Sequence, residues 1–232
     1  MKIEINNLSK LYHKNVALEI EHLSLDAGCV LGLVGNNGAG KTTLLRLILD
    51  LIKANSGRVL LNGLDVHRNE GWKQHTGSYM DEGFLIPFLT PEEYFLFIAR
   101  NYNLSFDIME QRLNLFHSFF AGEILNNNKY IRDFSLGNKR KIGIAGALAV
   151  NPKLLILDEP FANLDPRSQN ELVDLINTAK KALNLTALIS SHDLEHVANV
   201  SDRIAILEKG DIVKDIYQDK STVDSLKKYF VV

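Results

Sequence analysis

Nine residues constrain this chain more than any others: Gly35-Asn36-Asn37-Gly38-Ala39-Gly40-Lys41-Thr42-Thr43. They fit the pattern G-x-x-x-x-G-K-[ST], with a strand-like run before them (29–34) and a helix-like run after them (43–51). Glycine lets the backbone turn tightly and come close to a phosphate, with no Cβ in the way. Successive N–H groups then form a concave anion site, to which the following helix adds its positive end. In such a cradle Lys41 would reach the β- and γ-phosphates of a nucleotide, and the Thr42 hydroxyl would sit on Mg²⁺.

Phosphoryl chemistry needs more than a cradle. It needs a metal, and a group that sets water against the terminal phosphate. The apolar run 154–157 ends in Asp158 and Glu159, as a strand buried on both faces would. Carboxylates at such a strand end project where ligands bind in open α/β sheets. Asp158 suits Mg²⁺, held through water, and Glu159 suits a general base or water orienter. His192 follows a strand at 186–190 and two serines, which makes it a candidate contact to the γ-phosphate. Tyr12, placed in the loop between two N-terminal strands, offers a ring on which a base can stack.

The remaining pattern is that of an α/β chain. Residues 1–8 and 16–25 alternate apolar and polar side chains and predict a small antiparallel sheet ahead of the phosphate loop. Short strands follow at 58–61 and 78–80, with Asn62-Gly63 as a hairpin turn. Pro91 opens a helix over 92–103. Further helices are expected at 107–121 and 136–150. Beyond the acidic strand come a helix at 167–183, strands at 186–190 and 202–207, a turn into Ile212 and Val213, and a tail helix at 222–230. Alternating strands and helices predict a mainly parallel sheet. We expect one domain, with a core at 1–82 and 152–232 and an inserted helical lobe at about 83–151.

Composition narrows the class. At 232 residues the chain can bury a full core. Hydrophobic residues make up 46% and charged residues 23%, as in ordinary globular proteins. A net charge of -2 gives no global attraction to nucleic acid, and none is expected as a partner. No apolar stretch reaches the length of a membrane span; the run 44–52 is broken by Arg46 and Asp50. Met1-Lys2-Ile3-Glu4 starts no signal-peptide pattern. The single cysteine, Cys29, allows no internal disulfide and fits a reducing compartment. The expected location is cytoplasmic, with any membrane contact made through a partner.

Taken together, these motifs resemble the ATP-binding subunit of an ABC (ATP-binding cassette) transporter. They stand in the family's order: the loop at 35–43, a degenerate signature at Phe134-Ser135-Leu136-Gly137-Asn138, the acidic strand, Asn163-Leu164-Asp165 as the D-loop, and His192 as the switch histidine. The resemblance implies ATP and Mg²⁺ as ligands, Tyr12 as the adenine-stacking aromatic, and Glu159 as the residue that activates water. It also implies two cassettes paired head to tail. Ser135, Gly137 and Asn138 of one would close on the ATP held by the other, and Asp165 would couple the two sites. A separate transmembrane permease is the implied partner, and the inserted helical lobe, including the apolar stretch 84–88, is its expected docking surface.

Two departures stand out. The family's signature usually reads L-S-G-G-Q, and only Ser135 and Gly137 are retained here. The Ser-x-Gly core and the basic Lys139-Arg140-Lys141 resemble cassettes of the bacitracin-resistance exporters. The family's metal-binding glutamine ahead of the lobe is replaced by Asp81 or its neighbour Glu82. Two other functions stay open at this point: a soluble ABC-type ATPase acting on a macromolecule, and a low-turnover nucleotide-dependent assembly or sensing module.

Overall fold

The computed structural model describes residues 1–218, so the expected tail helix at 222–230 lies outside the described residues. Two sheets form the scaffold. The first is antiparallel: β1 (Ile3–Tyr12) and β2 (Asn15–Leu25) pair along their length, and β4 (Ser56–Leu61) and β5 (Leu64–Asp65) extend it in the order β2-β1-β4-β5. The Asn62-Gly63 turn joins β4 to β5 with both residues at positive φ, 50° and 79°, as a two-residue hairpin requires. Tyr12 is not in the loop between the first two strands. It is the last residue of β1, paired with Asn15, because the β1–β2 hairpin is tighter than expected.

The second sheet runs β10-β9-β3-β8-β7-β6. Its strands are β3 (Val30–Val34), β6 (Thr76–Tyr79), β7 (Leu154–Leu157), β8 (Thr186–Ser191), β9 (Arg203–Glu208) and β10 (Asp211–Tyr217). Only β10 runs antiparallel to its neighbour. β3, β7 and β8 are buried along their whole length. Their alternation sorts side chains between the two faces. Leu154 and Ile156 join the core beneath the antiparallel sheet, while Leu155 and Leu157 join the core beneath the helices. A polar residue at any of these positions would meet a packed layer, which is why β7 reads as an unbroken apolar run.

Helix α1 (Lys41–Ile48) leaves the phosphate loop and buries Leu44, Leu45, Leu47 and Ile48 against the antiparallel side. It is shorter than the expected 43–51, because Asp50 turns to φ 51°. α2 (Pro91–Asn101) starts as its sequence signals: Thr90 and Glu93 form a reciprocal capping box and Pro91 takes the first position. The single helix expected at 107–121 is broken. α3 (Phe106–Leu113) passes through a 3-10 turn at Asn114–Phe116 into α4 (His117–Phe120), and Ala121 stops it at φ 50°. Phe116, Phe119 and Phe120, at i, i+3 and i+4, share one core, with ring centroids 5.9 Å apart for Phe116 and Phe120 and 6.5 Å apart for Phe119 and Phe120.

α5 (Leu136–Ala149) is buried from Arg140 to its end, lying between the lobe helices and the sheet. α6 (Pro166–Leu183) is capped by Asp165, which accepts hydrogen bonds from the backbone N–H and the hydroxyl of Ser168. Those bonds hold the Asp165 carboxyl below its usual range. The cap is therefore charged at neutral pH, and its contribution is lost as pH falls through that lowered value. A short helix that periodicity did not signal, α7 (Leu194–Ala198), begins at Asp193.

Candidate nucleotide-binding and hydrolysis site

The sheet order puts β3, β8 and β7 side by side, all parallel. Three loops therefore leave one edge together: the phosphate loop after β3, Asp158 and Glu159 after β7, and His192 after β8. Ligands bind at this edge in open α/β sheets.

The phosphate loop ends at Gly40, whose φ of 110° is open to glycine without strain and which caps α1 with no side chain. The first-turn N–H groups of Lys41, Thr42 and Thr43 have no acceptor inside the helix. Beside the loop is a cleft of about 290 Å³, lined by Asn36 through Thr43 together with Tyr12, Ala17 and Glu159. Lys41 is buried. Its Nζ donates to the carbonyl oxygens of Gly35 (2.6 Å) and Asn36 (3.4 Å) and stands 3.2 Å from Glu159 Oε1. Tyr12 is half-exposed at the cleft, with Lys10 Nζ 5.3 Å from its ring centroid.

The two acids divide the other work. Asp158 is buried; its Oδ2 accepts the Thr42 hydroxyl at 2.6 Å and its Oδ1 accepts the hydroxyl of Ser190. Ser190 also receives the Glu159 backbone N–H, at 2.9 Å. Glu159 sits at φ 47°, a strained backbone for a non-glycine residue. Its side chain lies between Lys41 and His192, with Oε2 2.9 Å from His192 Nδ1 and 3.3 Å from the His192 backbone N–H. Sequence reasoning missed Ser190. The signal was there: a hydroxyl closing an otherwise apolar strand, fully buried, must find a partner.

The signature residues are elsewhere. Ser135 caps α5, its Oγ accepting the Asn138 N–H at 3.2 Å, and Asn138 Nδ2 donates to Glu123 Oε2 at 3.0 Å. Ser135, Gly137, Asn138, Asn163 and Asp165 line a separate cleft of about 600 Å³. The two clefts share no residue. Asp81 lies two residues beyond β6. Its Oδ1 accepts the Gly83 N–H at 2.7 Å, and its Oδ2 stands 3.7 Å from the Arg46 guanidinium. Glu82 points instead to Arg140, at 2.9 Å. Neither acid is bonded to Thr42 or Asp158.

Comparison with known proteins agrees with this geometry. Residues 18–162 match the family model described as ABC transporter. The chain belongs to the ABC transporter family. It is 32% identical to the bacitracin transport ATP-binding protein BcrA of Bacillus licheniformis, over 97% of this chain and 71% of that protein. It is 31% identical to the sulfate/thiosulfate import ATP-binding protein CysA of Bradyrhizobium diazoefficiens, over 96% of this chain and 67% of that one. The solved structure of an ATP-binding subunit of an ABC transporter superposes with a TM-score of 0.85 at 29% identity, covering 99% of this chain and 93% of that one.

As an ABC ATPase subunit of a transporter, the chain takes ATP with Mg²⁺. The residues fit both. The uncapped amides of α1 and the buried Lys41 suit a polyphosphate. A hydroxyl and a carboxylate already in contact, Thr42 and Asp158, are the oxygen donors that Mg²⁺ takes beside phosphate oxygens.

The Ser190 bridge yields a test. Ser190→Ala leaves Asp158 Oδ1 and the Glu159 N–H without their partner. Urea unfolding should show a loss of about 1–3 kcal/mol, and ATP turnover should fall while ATP retention stays. Unchanged stability and turnover would remove Ser190 from the site.

Proposed function

We propose that this chain drives a separate membrane permease by closing on a second cassette around ATP and reopening after hydrolysis, with export as the direction. The observation that carries the reading is the placement of Glu159. A carboxylate beside the phosphate cradle, braced by Lys41 and His192, is positioned to take a proton from water at the terminal phosphate. Lys41 and the loop from Gly35 to Thr43 hold the phosphates. Thr42 and Asp158 hold Mg²⁺, which when bound neutralises charge on the phosphate oxygens. Asp81, two residues past the end of β6, would add a carboxylate for that metal. Tyr12 stacks on the base. His192 keeps Glu159 oriented and contacts the γ-phosphate.

Pairing follows from the two clefts. Within one chain the signature residues line a surface apart from the phosphate loop, so Ser135, Gly137 and Asn138 reach ATP only on a partner cassette. Among the described residues no helix is long and apolar enough to cross a membrane. Transport therefore needs the permease, with this chain at its cytoplasmic face. Exposed Phe84 and Phe88, beside a groove lined by Leu49, Leu51, Trp72 and Met80, form the docking surface. Export is supported by the Ser-x-Gly signature with Lys139-Arg140-Lys141; overall likeness, 32% to a bacitracin transport protein and 31% to a sulfate/thiosulfate import protein, favours neither direction.

Four experiments test these points. Lys41→Ala should abolish ATP retention. Glu159→Gln should keep ATP, trap a dimer in size-exclusion chromatography, and lower turnover by about 100-fold or more, the scale of losing one transition-state contact; comparable turnover in wild type and Glu159→Gln would sink the mechanism. For docking, Phe88→Asp should release the chain from its membrane partner in co-purification while ATP binding persists; retained co-purification would place docking elsewhere. As to direction, disrupting the chain in cells should raise sensitivity to envelope-active antibiotics. Loss of growth on a limiting nutrient with unchanged sensitivity would mean import.

A further inference from the structure

Among the described residues, Arg140 is the one buried arginine. Nη2 donates to Glu82 Oε1 at 2.9 Å, and Nη1 donates to the backbone oxygen of Ala162. Each contact belongs to a different part of the site. Glu82 opens the 3-10 turn Glu82–Phe84 that Asp81 caps. Ala162 lies three residues after Glu159 and donates its own N–H to the Glu159 carbonyl at 3.3 Å. Arg140 itself stands five residues into the segment that Ser135 opens. A planar fork of five donors can bridge such separate acceptors, where a lysine ammonium would not hold the same geometry.

The surroundings keep the bridge in place. α5 lies so close to β6 that a Cβ on Gly143 would come 2.3 Å from the Tyr79 ring. The Tyr79 phenol is pushed above its ordinary range by burial, with the adjacent Arg140 pulling it back. A buried guanidinium without its carboxylate would be costly, so each member of the pair requires the other. Because Glu82 is engaged, Asp81 is the one acid of the two left to face the metal.

We infer that Arg140 and Glu82 are a positioning pair for hydrolysis: they hold the Asp81 turn in register with the Glu159 loop and the Ser135 helix, and so set turnover rather than nucleotide affinity. This rests on the ATPase reading above. The test measures kcat, KM for Mg²⁺-ATP and equilibrium binding of a fluorescent ATP analogue, in purified wild type, Glu82→Gln, Arg140→Gln and the double variant. Each single change should lower kcat by about 10–100-fold, the scale for groups that orient a metal ligand. KM and analogue binding should stay within about twofold. The double variant should be no slower than the slower single one, as for residues that act as a unit. Unchanged kcat in Glu82→Gln, losses that multiply in the double variant, or loss of analogue binding in the partly exposed Glu82→Gln would each overturn the inference. Lys41→Ala separates the two levels. If it still binds ATP, the functional reading fails; if it is silent while Glu82→Gln turns over normally, only the pair's role fails.

Discussion

The site depends on a chain of hydrogen bonds that ties three strand ends together: Thr42 to Asp158, Asp158 to Ser190, and Ser190 to the Glu159 backbone. Asp158 is the constraint. A buried carboxylate is tolerable only if both oxygens are satisfied. One is met from the helix after β3, the other from the end of β8. That arrangement requires β8 to lie between β3 and β7, which is the order observed. The polar contacts of the site and the topology of the sheet are thus one requirement. The apolar strands beneath supply the burial that makes these bonds matter.

Much of this was legible in residues. The phosphate loop, the acidic strand end and the Pro91 helix start announced themselves because each local choice agrees with the fold around it. What stayed hidden had a physical cause. Residues 107–121 read as one helix because Met109, Phe116 and Phe120 share a helical face, and that face continues through the 3-10 turn, so side-chain spacing did not reveal the break. Tyr12 read as a loop residue because hairpin length is set by pairing with Asn15, which composition does not encode. Ser190 looked ordinary, and Arg140 read only as part of a basic run, because their partners lie 32 and 58 residues away.

The separation of the two clefts sets the logic of the assembly. On the proposed reading, each cleft is half of a site. The phosphate cradle has the charge to hold a nucleotide, and the Ser135 helix end lines the other cleft with polar side chains. In the proposed assembly a second cassette supplies what each lacks, so that ATP joins the interface as well as fuelling it. Asp165 lies at the edge of the signature cleft, where its cap fixes the start of α6.

Arg140 and Glu82 lie where such an assembly would need a rigid link. Two departures from the usual family pattern, an acidic pair where a glutamine is typical and a basic run after the signature, meet in one ion pair. Neither makes sense alone. An arginine buried at position 140 without Glu82 would carry an unpaired charge into the core, and Glu82 without Arg140 would place a second free carboxylate near phosphates. Joined, they cancel both costs and leave a fixed turn whose remaining acid, Asp81, is partly exposed and held only by Gly83 and a longer contact to Arg46. A group held by one short bond and one long one can move toward a metal without breaking the frame that presents it.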